Sequence, residues 1–190
     1  MDSNNPELSS SSAEKSLALV SVLFPNEEWI PLGKDVFVAK SRMSGGHKEQ
    51  AKLYREISDV RILTSRGSVA YFLPEQIDCI NSKGKRRADL VMDGAIVELK
   101  TISGNRTTLG KSFKKGYKQG LSMLEAHPEI KVNHSVFLRL YTPFTVESVR
   151  AKIAGEIKDT FDKGQCICYF ESTEELCYWT YDELRAIVGT

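Results

Sequence analysis

The chain has 190 residues, of which 41% are hydrophobic and 27% charged, a composition typical of a folded, water-soluble domain. Its formal net charge is +1 at pH 7, so any binding of nucleic acid must depend on local clusters of positive charge. No run approaches the roughly 18 consecutive apolar residues that a membrane-spanning helix needs, and we therefore expect no such helix.

The N-terminal part of the chain shows three changes in composition. Residues 1–14 are polar and contain four consecutive serines, which predicts a flexible tail. Residues 15–44 combine a short apolar helix with Pro25 and Pro31, which predict an irregular lead-in, and residues 45–190 are expected to form the main domain with a C-terminal α/β extension. Because no basic segment precedes an apolar core, a secretory signal is not predicted. We expect the protein to act in the cytoplasm, and export by another route stays open.

Hydrophobic periodicity predicts an alternation of helices and strands in the main domain. Helices are predicted at 47–57, 108–126 and 146–161, with a last short helix opened by a capping box of Thr180 and Glu183. Strands are predicted at 60–63, 69–73, 88–92, 95–100, 136–141, 166–170 and 175–179. The order helix, strands, hairpin, helix, strand predicts an α/β fold, with a small mixed sheet flanked by helices.

The hairpin around Asp93-Gly94 has a register that can be predicted from the sequence. Asp-Gly between two apolar runs is a strong signal for a two-residue turn. Counting outward from that turn places Asp89 opposite Glu98, with Lys100 two residues further on the same face. The opposite face is apolar and suited to a core.

Opposed carboxylates on neighbouring strands repel each other, most strongly where water is excluded. A divalent cation such as Mg²⁺ or Mn²⁺ would turn that repulsion into binding, and Asp89 and Glu98 are its candidate ligands. A metal there could activate water and stabilise charge on a phosphate, while Lys100 could orient the water or neutralise the phosphate. The alternative is a solvated strand face with an ordinary Glu98–Lys100 pair.

The pattern of Asp89 followed by Glu98-Leu99-Lys100 resembles the PD-(D/E)xK phosphodiesterase superfamily, which has the restriction-endonuclease-like fold. The resemblance implies an α-β-β-β-α-β core and a metal-dependent endonuclease. Ala88 departs from it, because it stands where the superfamily has proline. The resemblance also implies a catalytic, metal-supporting glutamate on the helix before the sheet; Glu49 is our first candidate and Glu56 the second.

Within that superfamily, the segment from His47 to the basic helix is similar to the C-terminal tRNase toxin domains of contact-dependent inhibition systems. That similarity implies RNA, tRNA in particular, as substrate, and an immunity protein as partner. Two other functions stay open, a DNA endonuclease of a restriction, repair or mobile-element system, and a non-catalytic module that binds nucleic acid or protein. Toxicity on expression that is reversed by changing Glu98 would favour the tRNase toxin. Cleavage of plasmid but not of tRNA would favour the DNA endonuclease, and tight binding without cleavage would favour the binding module.

The predicted helix at 108–126 has an apolar face and a basic stripe with no acidic residue before Glu125. Such a stripe just after the catalytic strand suits a phosphate backbone, although a plain solvated face is the alternative. The candidate nucleic-acid-binding residues are Lys111, Lys114, Lys115, Lys118, Gln119, Arg106 and Arg87.

The cysteines and histidines indicate no further site. Cys166 and Cys168 alternate within an apolar run, which predicts buried thiols in a core strand and a reducing compartment. His47 lies two residues before Glu49 and could approach a metal, but a histidine at the start of a helix is the simpler interpretation.

Overall fold

A computed structural model describes residues 11–75, 88–157 and 163–188. The helices are α1 Ser12–Leu23, α2 Lys40–Met43, α3 His47–Thr64, α4 Arg106–Ala126, α5 Val146–Ala154 and α6 Tyr181–Val188. The strands are β1 Trp29–Gly33, β2 Val36–Ala39, β3 Ala70–Phe72, β4 Leu90–Met92, β5 Ala95–Ile102, β6 His134–Leu140, β7 Gly164–Phe170 and β8 Glu175–Thr180.

These strands form one mixed sheet in the order β1 to β8. The pairs β2–β3, β5–β6 and β6–β7 are parallel, and the remaining neighbours are antiparallel. The predicted α/β class with a mixed sheet flanked by helices is confirmed. The succession α3, β3, β4, β5, α4, β6 also follows the predicted order of helix, strands, hairpin, helix and strand.

Three predictions about the N-terminal half are wrong. Residues 60–63 were predicted as a strand, but they continue α3, because Val60 and Leu63 extend the buried helical face of Leu53 and Ile57. Part of the lead-in predicted as irregular forms the antiparallel pair β1–β2, which adds two strands to the sheet. Helix α1 begins at Ser12, within the predicted tail, where Ser11 and Glu14 form a capping box.

Helices cover both faces of the sheet. Helix α3 packs its apolar residues against one face, in a core that extends from β2 to β7. The opposite face packs against α1 near β3 to β5 and against α4, α5 and α6 near β5 to β8. Because β4 and β5 lie between these layers, most of their side chains on either face are buried.

The hairpin has the predicted register. Leu90 pairs with Val97, and Met92 pairs with Ala95. Asp93 and Gly94 have φ values of 51° and 78°, which is the backbone of a type I′ turn and explains why Asp-Gly occupies it.

Helix α4 packs closely on β5 and β6. It begins at Arg106, capped by Asn105, whose side chain accepts a hydrogen bond from the Thr108 N–H at 3.1 Å. A Cβ added at Gly116 would lie 2.9 Å from Val136 Cγ1, and one at Gly120 would lie 2.2 Å from His134 Cδ2. Glycine at these positions therefore lets the helix backbone approach the sheet.

The C-terminal part agrees with most of the predictions. Thr180 N–H donates to Glu183 Oε2 at 2.7 Å and Glu183 N–H donates to Thr180 Oγ1 at 3.2 Å, so the predicted capping box is confirmed. Cys166 and Cys168 are buried, free thiols in β7, as predicted. Helix α5 ends at Ala154 rather than continuing to the predicted 161, and residues 158–162 lie outside the described part of the chain.

None of the described helices combines the length and the apolar character needed to cross a membrane.

Candidate metal and nucleic-acid site

Glu98 is a buried carboxylate in the interior of the sheet. It lies on β5 between β4 and β6 and is only 1% exposed. Helix α4 lies over it, since a Cβ at Gly116 would come within 3.3 Å of Glu98 Cγ. This burial excludes the alternative of a solvated strand face for Glu98.

Asp89 lies at the start of the same hairpin, directly before β4. Continuing the observed register by one residue from the pair Leu90–Val97 places it opposite Glu98. Its Oδ2 accepts a hydrogen bond from the Leu99 main-chain N–H at 2.8 Å, which holds the carboxylate against β5. The structure thus brings the two predicted carboxylates together.

Lys100 is the third member of this cluster. Its Nζ forms an ion pair with Glu98 Oε1 and donates a hydrogen bond to the Leu99 carbonyl at 3.1 Å. The Lys100 side chain is 17% exposed, so it reaches from the buried carboxylate toward the surface.

The electrostatics of the cluster are dominated by burial. Burial and, to a smaller extent, the neighbouring charge of Asp89 raise the pKa of Glu98 to about 8, with Lys100 acting in the opposite direction. Glu98 Oε2 is buried and accepts no hydrogen bond from a described donor, and the Glu98 and Asp89 carboxyl groups are close enough to share a hydrogen bond when Glu98 is protonated. Such an unpaired buried oxygen is costly, and a bound cation would remove the cost.

The donor set fits a hard divalent cation that takes few protein ligands. Among the described residues, no cluster of three or more His, Cys, Asp or Glu side chains has the arrangement to hold a metal. Asp89 and Glu98 together offer two carboxylates, which is the number that Mg²⁺ commonly takes from protein while water and substrate phosphate supply the rest.

The structure favours Glu56 over Glu49 as the helix carboxylate near this cluster. Glu49 is exposed in the first turn of α3, beside Gly45 and Gly46. Glu56 lies about two turns later, is largely buried, and is close enough to Asp89 to feel its charge. Burial raises the pKa of Glu56, Asp89 adds to that shift, and the positive charge of Arg42 opposes it.

Arg42 is a site neighbour that sequence reasoning missed. Its buried guanidinium forms an ion pair with Glu56 and donates to the carbonyls of Leu73 and Asp89, both at 3.2 Å. It therefore ties the end of β3, the start of β4 and helix α3 together next to Asp89. No local sequence signal predicts this, because α2 is a four-residue helix that directly follows β2.

The candidate nucleic-acid-binding residues differ in their availability. Lys111, Lys115 and Lys118 are exposed on α4. Lys114 forms an ion pair with Glu156, a partner that lies far along the chain and could not be predicted from the helix alone. Hydrogen bonds from Lys114 and Lys152 lower the pKa of Glu156.

Of the remaining candidates, Arg106 is exposed but hydrogen-bonded, Gln119 is partly buried, and Arg87 lies outside the described residues. Arg106 donates to the Ser148 carbonyl at 3.0 Å. Gln119 is partly buried, and its Oε1 has no hydrogen-bond partner in the described part of the chain. Arg87 belongs to residues 76–87, which the structure does not describe.

Comparisons with known proteins give one partial structural likeness. No protein-family model matches the chain, and no curated protein matches it. The fold is similar to a chain of the CdiA-CT/CdiI toxin and immunity complex from Burkholderia pseudomallei, at 12% sequence identity and a TM-score of 0.46. The similarity covers 72% of this chain and 89% of that chain.

Proposed function

We propose that this chain is a metal-dependent phosphodiesterase that hydrolyses nucleic acid, with Asp89 and Glu98 as the ligands of Mg²⁺ or Mn²⁺. The observation that carries the proposal is the buried Glu98 carboxylate, which lies against the carboxylate of Asp89 and has one oxygen that no described donor satisfies. A structural carboxylate in such a place is normally hydrogen-bonded or ion-paired at both oxygens, whereas a metal ligand needs a free one.

Each group of the cluster has a role in phosphodiester hydrolysis. The cation, when bound, would lower the pKa of a water molecule and stabilise negative charge on the phosphate. Lys100 holds its ammonium beside Glu98, so it can donate a proton or a hydrogen bond to a phosphate oxygen or orient the attacking water. The Leu99 N–H keeps the Asp89 carboxylate in place on β5.

Two further sets of residues support this chemistry. Arg42 and Glu56 fix the main chain at Asp89 and the position of α3 next to it. Lys111, Lys115 and Lys118 present exposed positive charge on α4, the helix that covers Glu98, and would bind the phosphate backbone.

The proposed substrate is RNA, tRNA in particular, and the proposed biological role is that of a toxin domain acting in the cytoplasm, with an immunity protein as partner. This finer assignment is supported by the resemblance of the hairpin and the basic helix to tRNase toxin domains. The site itself requires only a phosphodiester, and a DNA substrate would use the same residues.

The test is a cleavage assay on total tRNA and on plasmid DNA, each with Mg²⁺, Mn²⁺ or EDTA. The variant Glu98→Gln keeps the size of the side chain and removes the charge, and Glu125→Gln, at an exposed position of α4, is the matched control. We expect metal-dependent cleavage of tRNA that Glu98→Gln abolishes and Glu125→Gln retains. Cleavage of plasmid alone would show that the substrate is DNA and not RNA. No cleavage by folded wild-type protein would contradict the enzymatic proposal.

A further inference from the structure

A cavity lies on the face of the sheet opposite to Glu98. It has a volume of about 260 Å³ and lies near the turn end of the hairpin, beside the loop that follows α3. Its lining includes one residue from each of the neighbouring strands β5, β6, β7 and β8, which lie side by side across the sheet. These residues are Val97, Ser135, Gln165 and Thr180, each paired with the next. In the lining beside this row, Tyr178 on β8 pairs with Ile167.

Ser135 is the feature that points to a ligand. The residue is 1% exposed, and its Oγ has no hydrogen-bond partner among the described residues. Buried hydroxyls in folded proteins nearly always have a partner, because an unpaired one costs free energy. A ligand with a hydrogen-bonding group in the cavity would satisfy it.

The lining determines the chemistry of that ligand. Gln165 and Asn133 provide carboxamides, which offer both donors and acceptors, and Thr180 adds a hydroxyl. Of the described lining residues, Asp93 alone carries a formal charge, and its Oδ1 already accepts a hydrogen bond from the Val69 N–H at 3.0 Å. No cation is among the described lining residues, and the Arg66 charge that acts on Tyr178 lies outside that lining, so an uncharged polar ligand fits better than a phosphate or carboxylate.

The size and edge of the cavity favour a small ligand with a planar group. Its volume lies just below the range of about 300–1,000 Å³ that is typical of sites for drug-sized molecules. The Tyr178 side chain at its edge is 50% exposed, which leaves the ring free to stack on a planar group. Tyrosine rings and carboxamides are the groups with which proteins stack on unpaired bases and read their edges.

We propose that this cavity binds an unpaired nucleobase, stacked on Tyr178 and hydrogen-bonded to Gln165, Asn133 and Ser135. Binding of the base itself follows from the cavity alone. Its supply by an RNA strand, whose phosphodiester is cut at Glu98, rests on the proposed function. The two sources of a base, a free nucleoside and a nucleotide within RNA, are distinguished experimentally.

Binding is measured by calorimetry on the full chain carrying Glu98→Gln, in EDTA, so that no cleavage takes place. The probes are the four ribonucleosides and a short single-stranded RNA. Tyr178→Ala removes the stacking ring, and Tyr54→Ala removes a tyrosine that is 60% exposed on α3 and serves as the matched control. Gln165→Leu tests the hydrogen-bonding edge, with circular dichroism as the check on folding.

We expect at least one nucleoside and the RNA to bind, with affinity reduced roughly fivefold or more by Tyr178→Ala, as loss of base stacking would produce, and unchanged by Tyr54→Ala. Weakened binding of nucleosides alone would identify the free nucleoside as the ligand. If neither probe is affected by Tyr178→Ala or Gln165→Leu in folded protein, the proposal is overturned. Because the assay uses the Glu98→Gln background, this outcome is independent of whether the wild-type protein cleaves nucleic acid.

Discussion

Asp89 Oδ2 accepts a hydrogen bond from the main-chain N–H of Leu99 at 2.8 Å. This bond lies just before the start of β4, where a side chain instead of a main-chain carbonyl accepts from β5. It holds the Asp89 side chain against β5. Its consequence is electrostatic, because the carboxylate of Asp89 stands next to that of Glu98 in a buried position. The two like charges repel each other, and the Lys100 ammonium, protonation of Glu98 or a bound cation would each reduce that repulsion.

Stability without metal is predicted to fall as the pH rises through neutrality. The pKa of Glu98 is 4.5 ordinarily and about 8 in the folded protein, so between these values the folded state binds more protons than the unfolded state. The contribution of Glu98 is therefore fully present below its ordinary pKa and lost as the pH rises through about 8. The measurement is urea unfolding in EDTA across about pH 5 to 8.

Two controls separate Glu98 from other titrating groups in that experiment. Glu98→Gln, which cannot ionise, is expected to show a flatter dependence of unfolding free energy on pH than the wild type. Saturating Mg²⁺ is expected to restore wild-type stability near pH 8, because a cation that binds only the folded state stabilises it. Equal slopes for both proteins would show that Glu98 has an ordinary pKa.

Gly116→Ala is predicted to damage both the packing and the site. The added Cβ would lie 2.9 Å from Val136 Cγ1 and 3.3 Å from Glu98 Cγ, so α4 must move away or Glu98 must shift. We expect a loss of about 1–3 kcal/mol in unfolding free energy, as is usual for overpacked cores. Cleavage is expected to fall at least tenfold, since small displacements of catalytic groups are costly.

The matched control for this substitution is Gly155→Ala. Gly155 has an ordinary helical φ of −67°, and its added Cβ would meet only carbonyl oxygens at 3.6 and 3.7 Å. Its unfolding free energy and activity should stay at or slightly above the wild-type values. Normal activity of a folded Gly116→Ala protein would argue against Glu98 as a metal ligand beneath α4.

The exposed lysines of α4 are predicted to bind the phosphate backbone. The triple substitution Lys111→Gln, Lys115→Gln and Lys118→Gln should weaken RNA binding and make its dependence on salt shallower. The slope of log affinity against log salt should change by about 2–3, because each lost phosphate contact removes roughly 0.7–0.9. Binding is measured on the Glu98→Gln background at several salt concentrations.

Two single substitutions calibrate that result. Lys34→Gln, at an exposed turn between β1 and β2, should leave the salt dependence unchanged. Lys114→Gln should have a smaller effect than loss of an exposed lysine, since Lys114 already pairs with Glu156. An unchanged slope for the triple variant would mean that the basic stripe is only a solvated face.

Glu56 and Glu49 are predicted to differ sharply in importance. Glu56→Gln removes the closest charged partner of the buried Arg42 guanidinium, which keeps Glu75 at 3.5 Å and two carbonyl acceptors, and should cost about 1–3 kcal/mol, together with activity. Glu49→Gln, at an exposed position, should change stability by less than about 0.5 kcal/mol. Loss of activity in Glu49→Gln with retention in Glu56→Gln would restore Glu49 as the helix carboxylate.

The parts of the site that could be predicted are those set by local chemistry. The Asp93-Gly94 turn and the alternation on each side of it determine the register, which places Asp89 opposite Glu98 without any knowledge of the tertiary structure. The segment 60–63 was mispredicted, because its apolar residues fit two patterns. They can form a short strand, or they can extend the apolar face of the preceding helix. Only the docking of α3 on the sheet decides between them.

The parts that could not be predicted depend on tertiary contacts. The position and rotation of α3 on the sheet decide whether Glu49 or Glu56 comes near Asp89. The local sequence does not determine how that helix packs. The Arg42 contacts and the Lys114–Glu156 pair join residues that are distant along the chain. The burial of Glu98 likewise requires the approach of α4 at Gly116.

The most direct test of the central claim is to locate Mn²⁺ by its anomalous X-ray signal in crystals of the wild type and of Glu98→Gln. We predict one strong peak between the carboxylates of Asp89 and Glu98 in the wild type, and its loss in the variant. A well-ordered site with no peak at saturating Mn²⁺, or a peak of equal height in Glu98→Gln, would contradict the assignment of these residues as metal ligands.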